Sequence, residues 1–174
     1  MAKNYIIIAI LMIHKKYNMP SSTPIKRNEI LQLISREHHY GLLLSWKIRE
    51  GMKKNVEINR ITDYVNWFWE SHLMHHFLIE EKFVFSILPT ENNLVIQAIN
   101  EHENLRKLFN EPEKNVETLK LIEKNLDQHI RFEERVLFNE VQLVATNEQL
   151  ELIALNHTHT FSDNWKDEFW ATAK

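Results

Sequence analysis

The sequence predicts an all-α protein: an antiparallel up-down-up-down four-helix bundle followed by a short C-terminal fifth helix and a tail. Apolar residues recur at three- and four-residue spacing through four long stretches that begin near Asn28. Only two glycines and no cysteine occur among 174 residues, which leaves little material for the tight hairpin turns of a β fold or for Gly-rich phosphate loops. The stretches are separated by Gly51, Pro89 and Pro112, and long helices with short connections pack most simply as such a bundle.

The elements follow in order. Residues 1–27 form an N-terminal extension whose apolar run, 5–13, is too short to span a bilayer as a helix, which takes about 20 residues. Met19-Pro20-Ser21-Ser22 resembles an ordinary polar leader, so the run is expected to be a misplaced start or a disordered appendage rather than an export signal. The bundle occupies 28–145. Helix one is expected from Asn28 to Glu50, with Gly51 just past its end. Helix two runs from Asn55 to Leu88 and stops at Pro89. Helix three opens at Thr90-Glu91-Asn92-Asn93 and reaches Asn110; helix four covers Lys114 to Val144. Residues 146–174 supply the rest: Thr146-Asn147-Glu148-Gln149 fits a capping box for a short helix to Asn156, and the aromatic tail from Phe161 to Trp170 is expected to dock back on the bundle.

Composition narrows the function. Without cysteine there are no disulfides, thiolate zinc sites, Cys-ligated iron–sulfur clusters or cysteine nucleophiles. A formal charge of −3 with mixed signs gives no basic footprint for nucleic acid. A cytoplasmic protein with no membrane partner is expected, as a monomer or weak homo-oligomer. What stands out is imidazole: ten histidines.

Two ten-residue windows match. His76-Phe77-Leu78-Ile79-Glu80-Glu81-Lys82-Phe83-Val84-Phe85 and His129-Ile130-Arg131-Phe132-Glu133-Glu134-Arg135-Val136-Leu137-Phe138 both read His, apolar, x, apolar, Glu, Glu, basic, apolar, apolar, Phe. A weaker match joins Glu37-His38 to Glu101-His102. The chain thus divides into two helix pairs, and a pseudo-twofold bundle brings the four segments to one level.

The apolar stripes place these residues inside. Leu119, Ile122, Leu126, His129, Glu133 and Val136 share one helical face, as do Val65, Trp69, His72, His76, Glu80, Phe83 and Ile87. His102 falls between Ala98 and Leu105, and His38 between Ile34 and Gly41. His38 and His39 are adjacent, so one faces inward; the stripe favours His38, while Leu42 and Leu43 fit almost as well behind His39. Within each pair, a glutamate four residues after a histidine lies above it and one five residues after swings away. Glu80 and Glu133 therefore face inward, and Glu81 and Glu134 point outward toward Lys82, Arg135 or water. Burying an unpaired ionisable group costs several kcal/mol. Six such groups in one layer call for a cation, and imidazole with carboxylate suits iron, zinc, manganese or copper. Six ligands exceed one structural zinc, whereas two irons bridged by two carboxylates fit the count.

With these motifs the sequence resembles the hemerythrin-like proteins, the HHE cation-binding domains. The resemblance rests on Ser35-Arg36-Glu37-His38-His39, His72 through Glu81, Glu101-His102-Glu103-Asn104-Leu105 and His129 through Glu134. It implies an oxo- or hydroxo-bridged di-iron centre, with His38, His76, His102 and His129 as terminal ligands and Glu80 and Glu133 as bridges. Where oxygen-carrying members have His-x-x-x-His on the third helix, the residue four after His102 is Arg106. His72, one turn before His76, would supply a fifth imidazole or orient a ligand. The expected ligand of the centre is dioxygen or nitric oxide, bound or sensed; iron storage or delivery, iron–sulfur repair and peroxide breakdown are the other activities the resemblance carries. His14, His157 and His159 repeat nowhere and are expected to be incidental.

Overall fold

The computed structural model describes residues 26–158 and 160–171. The apolar run 5–13 and the start at Met19 lie outside them. Five helices form, and no strand occurs among the described residues. Helix α1 is Leu31–Lys53. Helix α2 covers 58–87, α-helical over Ile58–Phe68 and Met74–Ile79, widened to π-helix over Trp69–Leu73 and Glu80–Val84, and tightened to 3-10 over Phe85–Ile87. Helix α3 is Asn93–Phe109. Helix α4 covers 116–144, with a π segment at Glu133–Leu137, and α5 is Asn147–Asn156.

Side chains close the helix starts. The Asn92 side chain accepts from the backbone N–H of Leu94 at 2.8 Å, and Asn115 accepts from Glu117 and Thr118 at 2.8 and 3.0 Å, satisfying donors that a first turn leaves open. The capping box at Thr146 and Gln149 is formed in both directions. At the end of α2, Leu88 is extended, as the residue before a proline must be to avoid its ring.

Gly51 does not terminate α1 as expected. It sits inside the helix, and a Cβ there would lie 2.8 Å from the Phe169 ring and 2.9 Å from Ile61 Cδ1. The residue in the left-handed region is Asn55, at φ 54°. Gly51 is thus required by close packing, and the turn is made four residues later.

Two pairs of helices meet in opposed order. Along α1 against α4 the contacts run Asn28–Gln142, Gly41–Ile130 and Arg49–Glu123. Along α2 against α3, Trp69 stacks on Phe109 at 4.9 Å and Phe77 on His102 at 3.7 Å between ring centroids. The buried apolar residues form two clusters. One contains Leu44, Ile48, Val65, Phe68, Leu119 and Ile122; the other contains Leu31, Ile34, Phe85, Val95, Phe138 and Val141. The histidine-bearing turns lie between them.

The π segments change which residues face the core. An i→i+5 turn admits one extra residue and rotates everything after it. Regular periodicity assigns Val136 to the interior, yet it is 41% exposed, while Leu137 and Phe138 are fully buried. Likewise Phe83 and Ile87 are only partly buried, and Val84 and Phe85 take the inner positions. The offset begins at Glu80 and at Glu133, the same place in the two matched windows.

The tail lies against the first cluster through Phe161, Trp165, Phe169 and Trp170. Asp163 anchors it, accepting from Lys47 Nζ at 2.5 Å and from the Tyr64 hydroxyl at 2.6 Å. The buried Lys47 ammonium also lies 3.6 Å from the Trp170 ring centroid, so its charge is compensated on several sides. No described helix is long and apolar enough to cross a membrane.

Candidate metal centre

Two groups of buried side chains converge where α1, α2, α3 and α4 face one another. One is Glu80, His102, His129 and Glu133; the other is His38, His76 and Glu80, with all ligand atoms of a group within 4.8 Å of one another. Glu80 belongs to both. Each histidine turns Nε2 inward. His38 Nε2 lies 3.1 Å from Glu80 Oε1 and 3.0 Å from Glu133 Oε2. His76 Nε2 is 3.3 Å from Glu80 Oε1, His102 Nε2 is 3.4 Å from Glu80 Oε2, and His129 Nε2 is 3.3 Å from Glu133 Oε2. The i,i+4 spacing of His76–Glu80 and His129–Glu133 stacks each pair on one helix face.

Every Nδ1 meets a second carboxylate on the preceding helix of a closed circuit. Glu37 of α1 holds His76 of α2 at 2.8 Å, and Glu81 of α2 holds His102 of α3 at 2.7 Å. Glu101 of α3 holds His129 of α4 at 2.8 Å, and Glu134 of α4 holds His38 of α1 at 2.7 Å. A carboxylate on Nδ1 fixes ring orientation and places the lone pair of Nε2 toward a cation.

Glu81 and Glu134 therefore do not point to Lys82, Arg135 or water, as α-helical geometry predicts. They follow Glu80 and Glu133 inside the π turns, and the wider turn lets two successive glutamates reach inner and neighbouring histidines. Glu81 is backed by Arg106 at 2.6 Å and Glu134 by Arg27 at 3.3 Å. Arg106, the residue standing four after His102, is thus engaged with the outer carboxylate of that same histidine.

Of the adjacent pair on α1, His38 is buried and His39 exposed. His72 is buried but falls outside both convergent groups. Its ring centroid lies 5.9 Å from that of His76, and it stacks on Phe161 at 4.3 Å. His157, expected to be incidental, places Nε2 3.0 Å from Glu37 Oε1. Sequence reasoning found the inner histidines and glutamates through their stripes. It missed the roles of Glu37, Glu81, Glu101 and Glu134, although the Glu-His and Glu-Glu pairs marked them, because each serves a histidine on another helix.

The electrostatics follow from burial against pairing. Burial opposes charge on His76 and His129, but the attraction of Glu80 and Glu133 respectively, with the outer hydrogen bonds, wins and raises both to about 9. Burial likewise disfavours charge on His38, and the close carboxylates of Glu133, Glu134 and Glu80 overcome it, leaving its pKa well above the ordinary imidazole range. Glu80 is driven well below the usual carboxylate range: burial pushes it up, and His76, His102 and His38 outweigh that. Glu133, pushed up by burial and by Glu80, is still lowered by His129 and His38.

Pairing nevertheless leaves inner atoms unsatisfied. Glu80 Oε2, both Glu133 oxygens, and Nε2 of His102 and His129 are buried without a hydrogen bond. Unmade bonds of this kind cost about 1–3 kcal/mol each, and more for charged groups. A cation bound between the nitrogens and oxygens would satisfy them together, so the donor set fits a metal of intermediate hardness.

A helical protein with buried His/Glu groups, each histidine held from behind by a carboxylate, belongs by its geometry to the metal-binding bundles. The chain matches the family model of the hemerythrin HHE cation-binding domain over residues 29–141, and it belongs to that family. No curated protein and no solved structure matches it.

Proposed function

We propose that the protein holds two iron ions, joined by an oxo or hydroxo bridge within an up-down-up-down bundle, and binds or senses dioxygen or nitric oxide there. The observation that carries this reading is that Glu80 belongs to both ligand groups. A carboxylate shared between two clusters of imidazole suits a bridged pair better than one ion. In this reading His38 and His76 would hold one iron and His102 and His129 the other, with Glu80 and Glu133 as the carboxylates between them. His72 supports His76 from one turn away.

Two irons held by these residues would supply the electrons that reversible dioxygen binding requires. The protein's own part is to hold the ligands in place and keep water out. Glu37, Glu81, Glu101 and Glu134 hold the four imidazoles by Nδ1. Phe77 lies flat on His102, and Phe138 stacks on His38 at 5.4 Å. These rings exclude solvent from the ligand layer and strengthen every charge interaction within it.

Metal analysis followed by oxygen titration of the reduced protein tests the proposal. Two irons per chain and stoichiometric, reversible oxygen or nitric oxide uptake are expected. Iron release on oxidation, or turnover of hydrogen peroxide, would instead assign the centre to iron handling or peroxide breakdown. Absence of bound iron would remove the reading altogether.

A further inference from the structure

The segment after α5 lies beyond the family-matched residues 29–141, yet it reaches the metal centre. Glu37 is buried at 8% exposure. One of its oxygens, Oε2, accepts from His76 Nδ1 at 2.8 Å. The other, Oε1, has His157 Nε2 at 3.0 Å. Four residues further on, Phe161 stacks on His72 with 4.3 Å between centroids and 23° between planes. Phe161 also meets Phe68 and Tyr40 edge-on at 5.1 Å each. Asp163 then ties the segment to Lys47 and Tyr64. The remaining outer carboxylates are backed from elsewhere: Glu134 by Arg27, Glu81 by Arg106, and Glu101 by Gln97 at 2.8 Å.

We propose that His157 and Phe161 are working parts of the metal centre: His157 is a positioning residue that fixes Glu37 and through it His76, while Phe161 covers the His72 side of the His38/His76/Glu80 group. The proposal rests on the metal-binding reading of that group.

The physical case is one of a buried carboxylate with two partners. Oε2 is held by His76 and Oε1 faces His157, so the carboxylate is fixed from both sides. Without His157, Oε1 loses that contact and the carboxylate is free to turn away. His76 Nδ1 then loses its fixed acceptor, and the ring is free to rotate out of register with His38. The His102/His129 group depends on Glu81 and Glu101, neither of which has a partner among the described residues of this segment. The effect therefore falls mainly on one side.

The test is a cobalt(II) titration of the metal-free full-length chain against a competing chelator, followed by visible absorption. Wild type is expected to take up two equivalents. His157→Ala is expected to weaken one equivalent by about 10–100-fold, the usual consequence of losing a group behind a metal-bound histidine. The other equivalent shares Glu80, so it should weaken too, but by clearly less than the first. His157→Gln, whose amide can donate to Glu37, should restore most of the loss, and Glu37→Ala, which removes the acceptor of His76, should reproduce it even if His157→Ala does not fold. Phe161→Ala should speed loss of cobalt to the chelator from the same equivalent. Equal weakening of both equivalents, or of neither, overturns the assignment to His157. Failure of wild type to bind two equivalents overturns the two-metal reading beneath it.

Discussion

Glu134 on α4 accepts from His38 Nδ1 on α1 at 2.7 Å and thereby closes a circuit that passes through all four bundle helices. Each helix gives an outer glutamate to the histidine of the next. No histidine is oriented by the glutamate beside it in the chain. The centre is consequently assembled only when the four helices are docked, and its ligand geometry is a property of their packing.

The circuit can be opened one link at a time. Glu81→Ala should reduce metal affinity by about 10–100-fold, because His102 loses the acceptor that orients it. Arg106 would lose the same partner, so Glu81→Gln, which keeps an acceptor oxygen, should be milder. Metal competition assays check both, and equal affinity for wild type and Glu81→Ala would show that the outer carboxylate does not orient the ligand.

Glu80 is the shared member of the two groups. Glu80→Ala should abolish binding of both metals, whereas a change on one histidine, such as His129→Ala, should strike its own group first. Metal per chain measured after gel filtration distinguishes them. Two irons retained in Glu80→Ala would refute the assignment.

The metal-free protein should show a defined stability window. His76 and His129 rise from 6.5 to about 9, so their contribution is complete below 6.5 and lost as pH climbs through 9. Glu80 and Glu133 are lowered from 4.5, so theirs is present above 4.5 and lost as pH falls below it. Thermal midpoints of the metal-free chain should therefore peak between these limits. Metal uptake near neutral pH should release protons, since a ligating imidazole must be neutral. Calorimetry in buffers of different ionisation enthalpy measures that release, and a flat midpoint from pH 5 to 9 would contradict the pairing.

The two glycines separate packing from propensity. Alanine in a helix interior gains about 0.5–1 kcal/mol over glycine. At Gly51 the new methyl would press on both Phe169 and Ile61, and overpacking costs about 1–3 kcal/mol. Gly51→Ala should thus destabilise and disturb the docked tail, visible as altered tryptophan fluorescence. At Gly41 the clash is with the flexible tip of Ile130, so Gly41→Ala should be closer to neutral. Urea denaturation compares the two.

Much of this molecule is legible from its chain. Helical spacing alone places His38, His76, Glu80, His102, His129 and Glu133 in the interior, and all six are buried. Asn92, Asn115 and Thr146 mark helix starts because a side-chain oxygen next to an open N–H is a local event. The residues that escaped sequence reasoning share a different cause. A 3.6-residue period points Val136 and Phe83 inward, but the turns that contain them are π-helical. Glu37, Glu81, Glu101, Glu134 and His157 act on partners between 21 and 120 residues away, a reach that no local pattern encodes.

Periodicity and helix caps, which depend on neighbours within a turn or two, are enough to specify an all-helical chain with a buried layer of imidazole and carboxylate. Tertiary structure decided which carboxylate holds which histidine, that Glu80 is shared, and that the C-terminal segment reaches Glu37. Those choices rest on how helices dock and where their turns widen, and both are set by packing between segments far apart in the chain.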